Sequence, residues 1–175
     1  MVRGLSRSVR HTLHVPELEL RQVHLAHPDA EYLIERVQKV YVARYGGRDD
    51  DPLDPAEFAA PNGAFYVGYL DGRPVASGAW RRSAHAALGS SETAEVKRMY
   101  VVEEAQRRGI ARSVLAHLEV EVAHAGIAVI TLGTGSRQPE ALALYRQAGY
   151  VPIAGFGHYA ASMSSHFLGK RLVGE

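Results

Sequence analysis

The chain has 175 residues, 46% of them apolar and 22% charged, with 20 Lys plus Arg against 19 Asp plus Glu. That balance describes one ordinary globular domain, long enough to bury a real core, and excludes disordered, collagen-like and coiled-coil chains. A net charge of +1 lacks the basic excess of a general nucleic-acid binder, and the absence of cysteine removes disulfides, thiolate metal sites and cysteine nucleophiles together.

Residues 1–17 are expected to form an N-terminal arm. Up to His14 it carries Arg3, Arg7 and Arg10, no acid, and no apolar stretch of the kind a secretory signal needs. A single domain is expected over 18–175. Residues 18–23, LELRQV, alternate apolar and polar, which is strand periodicity. Pro28 and Asp29 open a helix to about Arg44, with Tyr32, Leu33, Val37, Val40 and Tyr41 on one face, and Gly46 and Gly47 stop it. A loop follows over 48–61 with Asp49, Asp50, Asp51, Asp54 and three prolines. Residues 65–70 and 74–80 read as a hairpin about Asp71 and Gly72.

Residues 83–92, rich in small side chains, read as a loop, and 93–102 as a longer strand. A turn over 106–110 leads into a helix to about His124 whose buried face is Ile110, Val114, Leu115, Leu118 and Val122. Gly126 ends it. Residues 127–132, IAVITL, are nearly all apolar, the composition of a strand covered on both faces, as in the parallel part of a mixed sheet. Pro139 suits the first turn of a helix to about Ala148, capped by Gly149. Residues 150–153 and 166–172 read as two last strands. The order implies one mixed α/β domain. No apolar run approaches the length of a membrane span, which together with the missing cysteines fits a cytoplasmic protein.

The most informative segment is 94–112, AEVKRMYVVEEAQRRGIAR. A strand ends, a turn carries Gln106, Arg107, Arg108, Gly109, Ile110 and Ala111, and a helix begins. Unpaired N–H groups and the dipole at a helix N-terminus make an anion site. Gly109 admits a close backbone approach, Ala111 leaves room, and Arg107, Arg108 and Arg112 add charge, so a pyrophosphate is the natural guest. On these residues alone a plain glycine turn before an amphipathic helix is equally consistent. The Lys-Ser/Thr end of a P-loop and the GxGxxG of a dinucleotide fold are both missing.

The context narrows this. A strand ending Val101-Val102, the QxxGxA turn and helix, a buried strand, and then EALALYRQAGY over 140–150 resemble, in that order, the GCN5-related N-acetyltransferase (GNAT) family. The resemblance runs from about Leu18 to Leu172. It implies a mixed, mostly antiparallel sheet flanked by helices, with a central parallel pair of strands that splay apart. It implies acetyl-CoA as cofactor, with its pyrophosphate on the turn and its pantetheine arm in the splay, pairing with the backbone of Tyr100, Val101 and Val102. Many members carry Asn three residues before the Ala of the second signature, where this chain has Gln138.

Acetyl transfer to an amine needs a neutral nucleophile and a protonated leaving thiol. The resemblance implies Tyr145 as general acid beside the cofactor sulfur, against a plain packing role on the sheet. It implies Glu95 as general base, matching a glutamate of the histone-acetylating branch, against a strand glutamate paired with Lys97 or Arg82. Tyr150 reads as packing. Asp49, Asp50 and Asp51 follow the first helix, in a region that lines the family's acceptor site. There they would draw in a polyamine, an aminoglycoside-like amine or a basic peptide end; the alternative is a solvated acidic loop. His158 and Tyr159, in the run GFGHY, border the same region, with His158 a weaker alternative base or a plain surface residue. The histidine pairs 11/14 and 24/27 lack metal-site spacing, and no metal is expected.

The function expected is acetyl transfer from acetyl-CoA to a primary amine of a small molecule by direct attack. The rival readings are acetylation of protein N-termini or lysines, and a non-catalytic acyl-CoA sensor. No nucleic-acid or membrane partner is expected; sheet edges leave a homodimer open.

Overall fold

The computed structural model describes residues 17–172. The arm expected over 1–17 lies, but for Glu17, outside the described residues. Chain order runs β1 (Glu19–Val23), α1 (Pro28–Tyr45), a 3₁₀ turn (Pro55–Phe58), β2 (Gly63–Leu70), β3 (Arg73–Ser83), β4 (Thr93–Val101), a second 3₁₀ turn (Glu103–Ala105), α2 (Ile110–His124), β5 (Val129–Gly135), α3 (Pro139–Gln147), β6 (Val151–Pro152) and β7 (Ser165–Arg171). The strands form one seven-stranded sheet in the order β1-β2-β3-β4-β5-β7-β6. Every pairing is antiparallel except β4 with β5. That is the mixed sheet with one central parallel pair expected above. Among the described residues no helix is long and apolar enough to cross a membrane.

The helices form where caps and periodicity agree. Pro28 sits at the first position of α1, the His27 Nδ1 accepts the Asp29 N–H at 3.1 Å, and Gly46 closes the far end in a left-handed conformation. On α2 all five residues of the expected face are buried, and the helix packs on β3 and β4. The face of α1 is shifted from expectation. Ala30, Leu33, Val37 and Gln38 are buried, whereas Tyr32 is 44% exposed. Gln38 goes inside because its amide clamps a backbone: Nε2 donates to the Asp49 carbonyl at 3.0 Å and Oε1 accepts the Asp49 N–H at 2.8 Å. A hydropathy pattern cannot register a polar side chain buried with both its hydrogen bonds made.

Two irregularities in the sheet position the site. The parallel ladder has only two register pairs, Ala94 with Ile130 and Glu95 with Thr131. The strands therefore part just beyond Glu95. Secondly, Lys97 pairs with Ala79 and Tyr100 with Ser77, so Arg98 and Met99 together face the single Gly78. This bulge holds Arg98 at φ +53°, a conformation that costs a non-glycine residue about 1–2 kcal/mol. It breaks the alternation, and the Lys97 and Arg98 side chains both emerge on the α1 face of β4, where they meet Asp51 and Asp49.

Candidate functional site

A cavity of about 330 Å³ opens where β4 and β5 diverge. Glu95 and Lys97 of β4 stand on one side and Gly133, Thr134 and Gly135 of β5 on the other. The C-terminal end of α1 contributes Tyr41 and Tyr45, and the acidic loop 49–51 closes the rim. The segment between β6 and β7 covers the remaining side with Phe156, His158 and Tyr159.

The acidic loop is partly solvated, but two of its three consecutive aspartates, Asp49 and Asp51, are already paired within the protein. Asp49 pairs with Arg98, whose side chain is only 3% exposed. Asp51 sits 2.5 Å from the Lys97 Nζ and 3.4 Å from Arg81. Burial pushes the Asp49 carboxyl up, but Arg98 beside it and the Tyr159 hydroxyl outweigh this and hold it below the ordinary 3.8. Asp50 is the exposed member, at 76%, with the His158 Nε2 at 3.0 Å and the Tyr159 Oη at 2.7 Å. Tyr159 Oη is also 2.7 Å from Asp49, so one phenol ties the two loops together.

Glu95 lines the cavity with its side chain 12% exposed. Its Oε2 accepts from Arg81 at 2.8 and 2.9 Å, and its Oε1 lies 3.7 Å from Lys97. The expected partner Arg82 is turned away and pairs with Glu92 instead. Arg81 and Glu95 are register partners across β3 and β4, a pairing invisible without the sheet. Arg81 also reaches Glu57 at 2.7 Å, so the carboxylate of Glu95 is one member of a network of three acids, Asp51, Glu57 and Glu95, and two bases, Arg81 and Lys97, rather than an isolated group.

Tyr145 is buried in α3, at 5% exposure, with its ring 5.7 Å from that of Tyr150. Burial, and more weakly the neighbouring Tyr41, push its phenol well above 10, so the hydroxyl keeps its proton. It is not itself one of the residues lining the cavity; Tyr41, whose phenol is near enough to act on it, is. Tyr150 is buried at 3%, the packing role expected of it. Gln138, at the N-terminal cap of α3, lines the cavity and has Nε2 3.4 Å from the Tyr45 hydroxyl. That hydroxyl also accepts the Arg137 N–H at 3.2 Å and fills the space in front of Gly135, where a Cβ would sit 1.9 Å from it.

At the far end of β4 the turn is built for open donors. Gly109 precedes α2 at φ +79°, no side chain caps the helix, and nothing lies within 4 Å of where its Cβ would be. Arg107, Arg108 and Arg112 are exposed around it, while Ile110 is buried and Ala111 half-buried. Such an end can receive an anion. Gln106 instead serves the turn itself: its Nε2 donates to the Val101 carbonyl at 2.9 Å and closes the turn onto the strand. Val102 is buried and its N–H donates to Val75, while Tyr100 and Val101 pair with Ser77 and Ala76 of β3. The opposite edge of β4 past Glu95 faces the splay.

The family described as "Acetyltransferase (GNAT) family" matches residues 34–150. This chain belongs to the GNAT acetyltransferase family. An "IAA acetyltransferase" of Azospirillum brasilense is 32% identical over 140 residues, 80% of this chain and 88% of that one. Solved GNAT structures share the fold. An acetyltransferase of Staphylococcus aureus superposes with a TM-score of 0.72 at 16% identity, over 90% of this chain and 100% of its own. One from Elizabethkingia anophelis with acetyl-CoA bound superposes at 0.60 and 14%, over 89% and 98%.

The aromatic wall of this GNAT domain leaves no mark in the sequence. Phe156 stacks on His85, with ring centroids 3.7 Å apart and planes 9° from parallel, and meets the Phe167 ring at 5.2 Å. His85 lies in the stretch 83–92, whose small residues indicate no more than a loop. Its nitrogens lie 2.5 Å from the Ser83 hydroxyl, 3.1 Å from that of Thr93 and 3.0 Å from that of Thr131. Burial, against the pull of Glu95, lowers its pKa below 6.5 and keeps the ring neutral at pH 7. No local signal announces a contact between rings so far apart in the chain.

Proposed function

We propose that the chain is an N-acetyltransferase that moves the acetyl group of acetyl-CoA to a primary amine of a small molecule by direct attack. The observation that carries this reading is that one strand joins both halves of the site. The β4 edge left free by the splay leads from the cavity at Glu95 to the uncapped N-terminus of α2. The residues present fit the group: the space in front of Gly109 is open and three arginines surround it. The turn and the backbone of Tyr100 and Val101 would hold it, with Gln138 on the cavity side; both backbone groups of Val102 are already paired, with Val75 and Ala105. When bound, acetyl-CoA supplies a thioester whose carbon–sulfur bond breaks as the amine nitrogen bonds to the acetyl carbon.

The protein's own residues handle the protons. Tyr145 holds a phenol proton throughout the neutral range and is the donor to the departing sulfur. Glu95, fixed by Arg81 beside Lys97, takes up the proton of the entering amine directly or through water. The name of the relative from Azospirillum brasilense supports a small-molecule acceptor.

The test is melting temperature with and without acetyl-CoA, with NADPH and ATP as controls. A ligand at 100 times its Kd adds about 2.7 kcal/mol, which for a chain of this size raises Tm by about 5–10 °C. A shift specific to acetyl-CoA is the expected result. No shift at millimolar acetyl-CoA overturns the reading, and a shift without thiol release from any amine turns it into that of a sensor.

A further inference from the structure

The cavity sorts acceptors by two features, ring chemistry and charge. Among its lining residues are five aromatic rings, Tyr41, Tyr45, Phe156, Tyr159 and Phe167. One of them is braced from behind. The Phe156 ring lies flat on His85, His85 is held by the hydroxyls of Ser83, Thr93 and Thr131, and Phe167 meets Phe156 edge-on. Glycines 155 and 157 flank Phe156, so the adjoining backbone has little side-chain anchorage of its own. A ring fixed this way is a preorganised surface on which another flat ring can stack or meet edge to face.

The charges narrow the choice further. Asp49 is spent on Arg98, Asp51 on Lys97 and Arg81, and Glu95 on Arg81. A polycation needs several carboxylates that it can pair with, and these three already pair within the protein. Asp50, at the mouth beside His158 and Tyr159, is the one carboxylate of the rim that reaches well into solvent. It suits a single ammonium arriving from water. A volume of about 330 Å³ is that of a small-molecule site.

We infer that the acceptor is a small monoamine carried on an aromatic ring, an arylalkylamine, with its ring against Phe156. This rests on the acetyltransferase reading above and replaces the polyamine, aminoglycoside or peptide end that the acidic loop by itself suggests. Phe156 is the specificity-determining residue and His85 positions it.

The experiment uses the full chain, saturating acetyl-CoA, and 2-phenylethylamine, n-butylamine and spermidine as probes, followed by thiol release and by calorimetric binding of each amine. The expected kcat/KM for 2-phenylethylamine exceeds that of both other amines by about tenfold or more, about the contribution of one well-seated ring. Phe156→Leu keeps an apolar side chain of similar bulk and should shrink that ratio towards one. His85→Ala should do the same by raising KM for 2-phenylethylamine while kcat changes little, a split that general unfolding would not produce. Equal or better use of n-butylamine or spermidine overturns the inference, as does an unchanged ratio in Phe156→Leu. If 2-phenylethylamine binds in a Phe156-dependent way and no amine releases thiol, acetyl transfer fails and the ligand class stands. If it neither binds nor reacts, the class fails.

Discussion

Tyr145→Phe is expected to lower kcat by about a hundredfold or more, the lower end of what a positioned general acid contributes, while the Kd for acetyl-CoA changes by less than about threefold. The substitution removes one oxygen and keeps the ring that packs 5.7 Å from Tyr150. The fold is therefore expected to survive, with Tm close to that of the wild type. The buried phenol keeps its proton at neutral pH, so the hydroxyl is in the form that can donate to a developing thiolate. Single-turnover thiol release, with acetyl-CoA affinity measured separately by calorimetry, checks it. Wild-type kcat in the variant would remove Tyr145 from the mechanism and leave it a packing residue.

The largest expected effect on stability is at Asp49. Arg98 is buried, and its pairing with Asp49 is the main compensation for its charge. Removing one member of a buried pair leaves the other uncompensated, which costs about 3–5 kcal/mol. Asp49→Ala is therefore expected to lower Tm by about 6–20 °C at 2–4 °C per kcal/mol. The double variant Asp49→Ala with Arg98→Met should recover most of that loss, because the orphaned charge is gone. A loss under about 1 kcal/mol, or no recovery in the double variant, contradicts this account.

The pH dependence has a definite sign. The carboxyl of Asp49 is held below 3.8 in the folded protein, so it binds protons more readily when unfolded. Its contribution is fully present above the unfolded value and is lost as pH falls through the folded one. The acid limb of the stability profile, below about pH 4, should accordingly be shallower in Asp49→Asn than in the wild type.

Local patterns are legible wherever one element decides its own fate. The five buried positions of α2 follow from helical spacing alone. The apolar run 127–132 announces a strand covered on both faces, and Ile127, Val129, Ile130 and Leu132 are all buried. The turn at Gly109 can be placed because a strand end, a glycine and a helix start are consecutive. The nature of that turn as an open donor site, without a side-chain cap, came from the fold.

The site's charges and rings are of the other kind. Glu95 and the acidic loop do line one cavity, yet most of their partners are illegible in the sequence. Arg81 reaches Glu95 through strand register, Arg98 reaches Asp49 only because a bulge turns it to the α1 face, and His85 reaches Phe156 across two loops. Periodicity and capping act over a few residues, so the amino-acid order by itself determined the helices, the buried strands, the turn and the family. Which carboxylates keep a free charge, and which ring lines the acceptor space, depend on contacts between segments distant in sequence. Those were decided by sheet register, the bulge at Arg98 and the burial that makes an unpaired charge too costly to leave.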